Sequence, residues 1–156
     1  MDAYLLVKWL HVLSSTLLFG TGLGTAFHML WAWRWGDAAH LASVSRSVVV
    51  ADWLFTLTAG IAQPVTGLAL VHLLGLSPWS GWLVVSYVLY GIALGCWLPV
   101  IWLQIRIRDL AKDAMRDAQP LPALAERYMR IWFILGWPAF IALLTVFWLM
   151  IAKPEL

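Results

Sequence analysis

The chain has 156 residues, 63% of them hydrophobic and only 12% charged, with a formal net charge of +2 and a mean hydropathy of +0.84. A soluble domain carries about 25% charged residues, so the composition excludes a water-soluble fold and leaves an integral membrane protein. The small positive charge gives no ground for nucleic-acid binding, and a single cysteine, Cys96, excludes an intrachain disulfide.

Four segments exceed the roughly 20 residues that cross a hydrocarbon core about 30 Å thick. They predict helices over about 4–33, 48–74, 81–117 and 123–151 in a single transmembrane domain spanning 1–156. The fold class is therefore all-α, an integral membrane four-helix bundle whose third helix extends into the cytoplasm. The first segment is too long for a signal-peptide core and lacks a small-residue cleavage site, so it reads as a retained helix. It also carries Lys8, His11 and His28 within an apolar run. An ionisable residue inside a span is costly, faces the protein interior and is a functional-site candidate by default.

At 100° per residue, His11 shares a face with Lys8, Ser14, Ser15, Leu18, Gly22 and Thr25. That face is narrow and mostly small, which suits a flat, bulky ligand approaching the backbone at Gly22. The second segment runs back and brings His72 near its outer end, in the same leaflet as His11. His28 lies on the order of 25 Å further along the axis at 1.5 Å per residue, so it and His11 cannot ligate one iron; His28 reads as an interfacial hydrogen-bonding residue. Pro64, Pro99 and Pro138 interrupt helices two to four and free the carbonyls of Gly60, Gly95 and Ile134. Polar neighbours such as Gln63, Thr56, Thr58, Thr66, Ser86 and Tyr90 are expected to satisfy them. Gly20 with Gly24, and Gly91 with Gly95, have the small-xxx-small spacing of helix-packing seams.

Beyond Ile105 the charges alternate. Asp109 stands three residues before Lys112 and Asp113 three before Arg116, pairs that meet on a helix. The helix is expected to end near Asp117 and Ala118, ahead of Pro120 and Pro122, and a new one to restart at Ala123 with Glu126 four residues before Arg130. Arg34, Arg46, Arg106, Arg108, Lys112, Arg116, Arg127 and Arg130 fall in or beside the two links at one end of the bundle, while only Lys8 and Lys153 fall at the other. The positive-inside rule then places both termini outside the cytoplasm. Tryptophans at both ends, Trp31, Trp33 and Trp35 against Trp79 and Trp82, fit that frame.

Neutral imidazole is the commonest metal ligand, and histidines of helical bundles often hold haem iron. The chemistry predicted from these residues is haem binding, with His11 and His72 as metal ligands. Lys8, one turn outside His11, is placed to pair with a propionate, and Ser15 and Gly22 line the same face. A hydrogen-bonded buried histidine with a snorkelling lysine is the alternative.

The run Lys8-Trp9-Leu10-His11, the arginine-flanked start of the last helix at Arg127 to Arg130 and the closing Ala152-Lys153-Pro154 resemble the HemJ-type protoporphyrinogen oxidases. That resemblance implies a membrane bundle binding haem b through a first-helix histidine, which corresponds to His11. The lysine those enzymes have near the start of the third helix has no counterpart in Gly81 to Ser86. The segments KWLHVLSSTLLFGTGLG, ADWLFTLTAG, QPVTGLAL, CWLPVIWLQIRIRDLA and GWPAFIALLTVFWLMIAKP are more closely similar to a family of bacterial integral membrane proteins of unknown function. Two functions follow as expectations. One is a haem-binding redox protein, performing electron transfer or an oxidase-like step. The other is a non-enzymatic module in contact with the bilayer that binds a lipid or quinone, or packs against a redox partner; an outward glycine seam would allow a homo-oligomer.

Overall fold

The computed structural model describes residues 2–155, and among these it is all helical. Helix α1 runs Ala3–Trp35 and α2 runs Ala38–Ala51. One turn of π-helix, Asp52–Thr56, joins α2 to α3 (Leu57–Leu73); α4 (Gly81–Arg116) and α5 (Ala123–Ala152) follow. With α2 and α3 counted as one rod, four helices are long and apolar enough to cross a membrane.

Local chemistry sets the ends. Asp2 caps α1 by accepting from the Tyr4 amide at 3.1 Å. The second rod starts at Ala38, well before the apolar run at Val48 that marks it in the sequence. Its cap is Asp37, whose carboxylate accepts from the His40 amide at 2.8 Å. Its buried stripe, Leu41, Ala42, Val44, Ser45, Val48 and Val49, already has helical spacing. Hydropathy alone misses this start because Ser43, Arg46 and Ser47 face outward. Gly36 makes the two-residue link possible: a Cβ there would lie 2.5 Å from the Ala32 carbonyl and 2.7 Å from the His40 ring.

The C-terminus of α3 closes on Gly75 at φ +63°, with the Leu76 amide donating to the Val71 carbonyl at 3.0 Å. The same closure ends α4, where Gln119 donates to Ala114 at 2.9 Å, but here an alanine, Ala118, takes the left-handed position at φ 51°. The charged end of α4 is helical to Arg116, as its alternating charges imply. Arg116 pairs with Asp113 at 3.2 Å and with Asp117, and Glu126 with Arg130 at 3.1 Å. Asp109 turns instead to its neighbour Arg108, at 2.8 Å. The Arg116 guanidinium holds the Asp117 carboxyl below the ordinary carboxylate range.

The core sits at the charged end. There α2 packs against both α1 and α4, and α4 against α5. Met29, Ala32, Leu41, Val48, Ile107 and Met129 meet with almost no exposed surface. Toward the end that carries the termini the molecule becomes two pairs, α1 with α3 and α4 with α5. Side chains bridge them. Phe19 of α1 stacks on Phe140 of α5 at 5.3 Å and meets Phe147 edge-on at 5.4 Å. Tyr90 of α4 donates to the Gly60 carbonyl of α3 at 2.5 Å, which is the carbonyl that Pro64 leaves without an intrahelical donor. Gly20, Gly24, Gly91 and Gly95 take no part in these seams, since a Cβ on any of them would meet nothing within 4 Å.

Candidate functional site

Two polar groupings lie within the spans. The first clamps α1 to α3. Gln63 donates through Nε2 to the His11 carbonyl and to Ser14 Oγ, both at 2.6 Å, and Ser14 in turn donates to the His11 carbonyl at 3.1 Å. His11 Nδ1 lies 2.8 Å from Thr66 Oγ1, whose own proton goes to the Ala62 carbonyl at 2.6 Å. A hydroxyl has one proton, so Nδ1 carries the hydrogen of this bond and Nε2 keeps a free lone pair. The ring lies against α3 at Gly67, where a Cβ would come within 3.3 Å of His11 Cε1. A side chain at Gly67 would crowd the ring, and the cluster reads as an interhelical clamp whose members satisfy one another.

The second grouping surrounds a cavity of about 700 Å³ between the two helix pairs. Its walls come from all four spans, and it reaches along α1 from Leu18 to Leu30, on the order of 18 Å at 1.5 Å per residue. Toward the end that carries the termini the wall is apolar, with Leu18, Phe19, Val65 and Leu143. Where it borders the core it turns polar, with Asp52, Thr56, Gln104 and Trp132. The π turn brings the first two inward. One extra residue in the loop, closed by the Leu57 amide on the Asp52 carbonyl, places Thr56 Oγ1 2.8 Å from Asp52 Oδ1. Asp52 is 3% exposed and makes no salt bridge among the described residues. The amide of Gln104 faces the same carboxyl. Gln104 Oε1 and Trp132 Nε1 are both buried and have no hydrogen-bond partner among the described residues.

The residues expected to hold haem are not gathered around one space. Gly22 lines the cavity, but Lys8, His11, Ser15 and His72 do not. Lys8 is exposed, with its ammonium over the Tyr4 ring at 5.5 Å. Ser15 donates back to the Val12 carbonyl at 2.7 Å. His72 is exposed and is turned roughly 120° to 140° away from the Thr66 and Gly67 face that His11 touches; the two do not point at a common iron. Among the described residues the cavity wall holds no histidine, cysteine, methionine or lysine, and its one phenol, Tyr90, is bonded to Gly60. The donor set does not fit haem in the cavity. His28 lines a shallow surface groove with Gly24, Phe27 and Trp31.

Asp52, Gln104 and Trp132 are not among the residues that the sequence singles out. For Asp52 the signal was present, an uncompensated carboxylate within an apolar run. Gln104, in Ile101-Trp102-Leu103-Gln104-Ile105, is one polar residue among apolar ones and points nowhere until its neighbours are known. No curated protein and no solved structure matches the chain. Residues 5–154 match the family described as predicted integral membrane protein (DUF2269), and the chain belongs to that family.

Proposed function

We propose that the protein is a membrane-embedded binding module whose cavity, open at its sides between the helix pairs, takes up a lipid-soluble amphipathic molecule, a lipid or quinone in the broad sense. The observation that carries this is the cavity itself. At about 700 Å³ it falls within the range of small-molecule sites, and it is apolar along most of its length, with polar groups converging at one end. A ligand lies with its head at Asp52, Thr56, Gln104 and Trp132 and its tail toward Phe19 and Leu143. The charge asymmetry supports an orientation with the charged links in the cytoplasm and both termini outside, and the likeness to bacterial integral membrane proteins supports a bacterial inner membrane, so the head faces the cytoplasmic leaflet. Haem-dependent redox chemistry at His11 rests on the likeness in Lys8-Trp9-Leu10-His11, whereas the site geometry favours the cavity.

Quenching of tryptophan fluorescence by 11-bromoundecan-1-ol tests the reading, because Trp97, Trp132 and Trp137 stand in the wall. Gly22 and Gly136 also line it, and a Cβ on either meets nothing within 4 Å; Gly22→Phe and Gly136→Phe should fill the space and abolish saturable quenching. Gly20→Phe, which adds bulk outside the cavity, should leave it intact. Equal quenching in all three variants refutes the assignment. A Soret band in the purified protein that vanishes in His11→Ala would refute it in favour of haem.

A further inference from the structure

The wall of the cavity also specifies its occupant, an inference that rests on the binding reading above. Gln104 and Trp132 are 2% and 6% exposed, and each has one orphaned polar atom. They differ in kind: the amide oxygen can only accept and the indole N–H can only donate. Leaving either unpaired in a low-dielectric interior is costly. The amide is oriented by Asp52, since an –NH₂ facing the carboxyl puts the oxygen on the other side. A single partner serving both atoms has to bring a donor and an acceptor.

Charge narrows the choice. No lysine, arginine or histidine lines the cavity, and its one acidic group, Asp52, already receives a hydrogen bond from Thr56. An anionic head such as a fatty-acid carboxylate or a phosphate would meet a carboxyl with no cation to offset it. A cationic head suits Asp52 but cannot accept from Trp132. An oxidised quinone accepts from Trp132 but has nothing to donate to Gln104. We propose that the cavity selects a neutral, hydroxyl-bearing apolar molecule, donating its O–H to Gln104 and accepting from Trp132, of the long-chain alcohol or hydroquinone type.

Displacement of 11-bromoundecan-1-ol from the full-length protein in detergent reads this out. Hexadecan-1-ol should displace the probe at roughly tenfold lower concentration than its methyl ether, which keeps the acceptor and loses the donor. A decyl hydroquinone should outcompete the matching quinone by a similar factor, and the more potent of the alcohol and the hydroquinone identifies the source of the head. Gln104→Leu should erase the preference for alcohol over ether. Trp132→Phe should weaken both alike while keeping their ratio. Equal displacement by alcohol and ether in the unmodified protein overturns the inference, as does stronger displacement by palmitate or hexadecyltrimethylammonium. In those cases saturable binding, and with it the binding function, stands. Absence of saturable quenching by the probe would instead remove both.

Discussion

Tyr90→Phe tests the account of how the two helix pairs are joined. Pro64 has no amide hydrogen, so the Gly60 carbonyl loses its helical donor, and the Tyr90 hydroxyl supplies one from α4 at 2.5 Å. The phenylalanine ring keeps the apolar contacts and removes only the donor. An orphaned buried acceptor costs about 1–3 kcal/mol, while interhelical hydrogen bonds within membranes average about 0.6 and reach about 1.7 kcal/mol. The carbonyl lies within an apolar span, so the upper part of the membrane range applies and a loss of about 1–1.7 kcal/mol is expected. Pro64→Ala restores an amide four residues after Gly60. In the Tyr90→Phe background it should therefore recover about 1 kcal/mol, whereas in the unmodified protein it changes little on this account. Unfolding by SDS in mild detergent, followed by tryptophan fluorescence and far-ultraviolet circular dichroism, gives the four corners of the cycle. A Tyr90→Phe loss below about 0.3 kcal/mol, or no rescue by Pro64→Ala, refutes the reasoning, because a bond that matters must be replaceable by the helical one it stands in for.

Ala118→Gly should stabilise the protein by about 1 kcal/mol, since the closure of α4 holds an alanine at φ 51° where glycine has no steric penalty; the same unfolding assay measures it, and a destabilised variant contradicts the assignment of strain. In a Cys96→Ser background, Glu155→Cys should react with a membrane-impermeant maleimide on intact cells and Asp113→Cys only after permeabilisation; the reverse pattern inverts the proposed orientation. The Asp117 carboxyl is held down by Arg116, so its contribution is present above the ordinary carboxylate pKa and is lost as pH falls through the depressed value. Both groups are fully exposed, and Asp117→Asn should soften acid unfolding only slightly, as denaturation midpoints at pH 6 and pH 3 would show.

By itself the sequence determined the membrane class, the number of spans and most of their ends. These follow from properties that are local along the chain: apolar runs longer than a bilayer is thick, prolines after Gln119, and charges spaced to pair on one helix. It also identified the carbonyl freed by Pro64 and named Tyr90 among the groups able to satisfy it. The early start of the second rod was half legible, in Asp37 and the spacing of Leu41, Ser45 and Val48, though hydropathy hid it. Only the tertiary structure decided which polar residues share a space. His11 and His72 are compatible in depth, but the rotation of α3 turns them apart, and rotation about a helix axis is fixed by packing at Gly67 and Thr66 rather than by the spacing of the histidines. Asp52, Thr56, Gln104 and Trp132 come from three of the four spans and are separated by up to eighty residues of chain. They meet because α2 draws α1 and α4 together at one end while the aromatic bridges of Phe19 hold the helix pairs apart at the other, and a cavity of that origin exists only once the helices have packed.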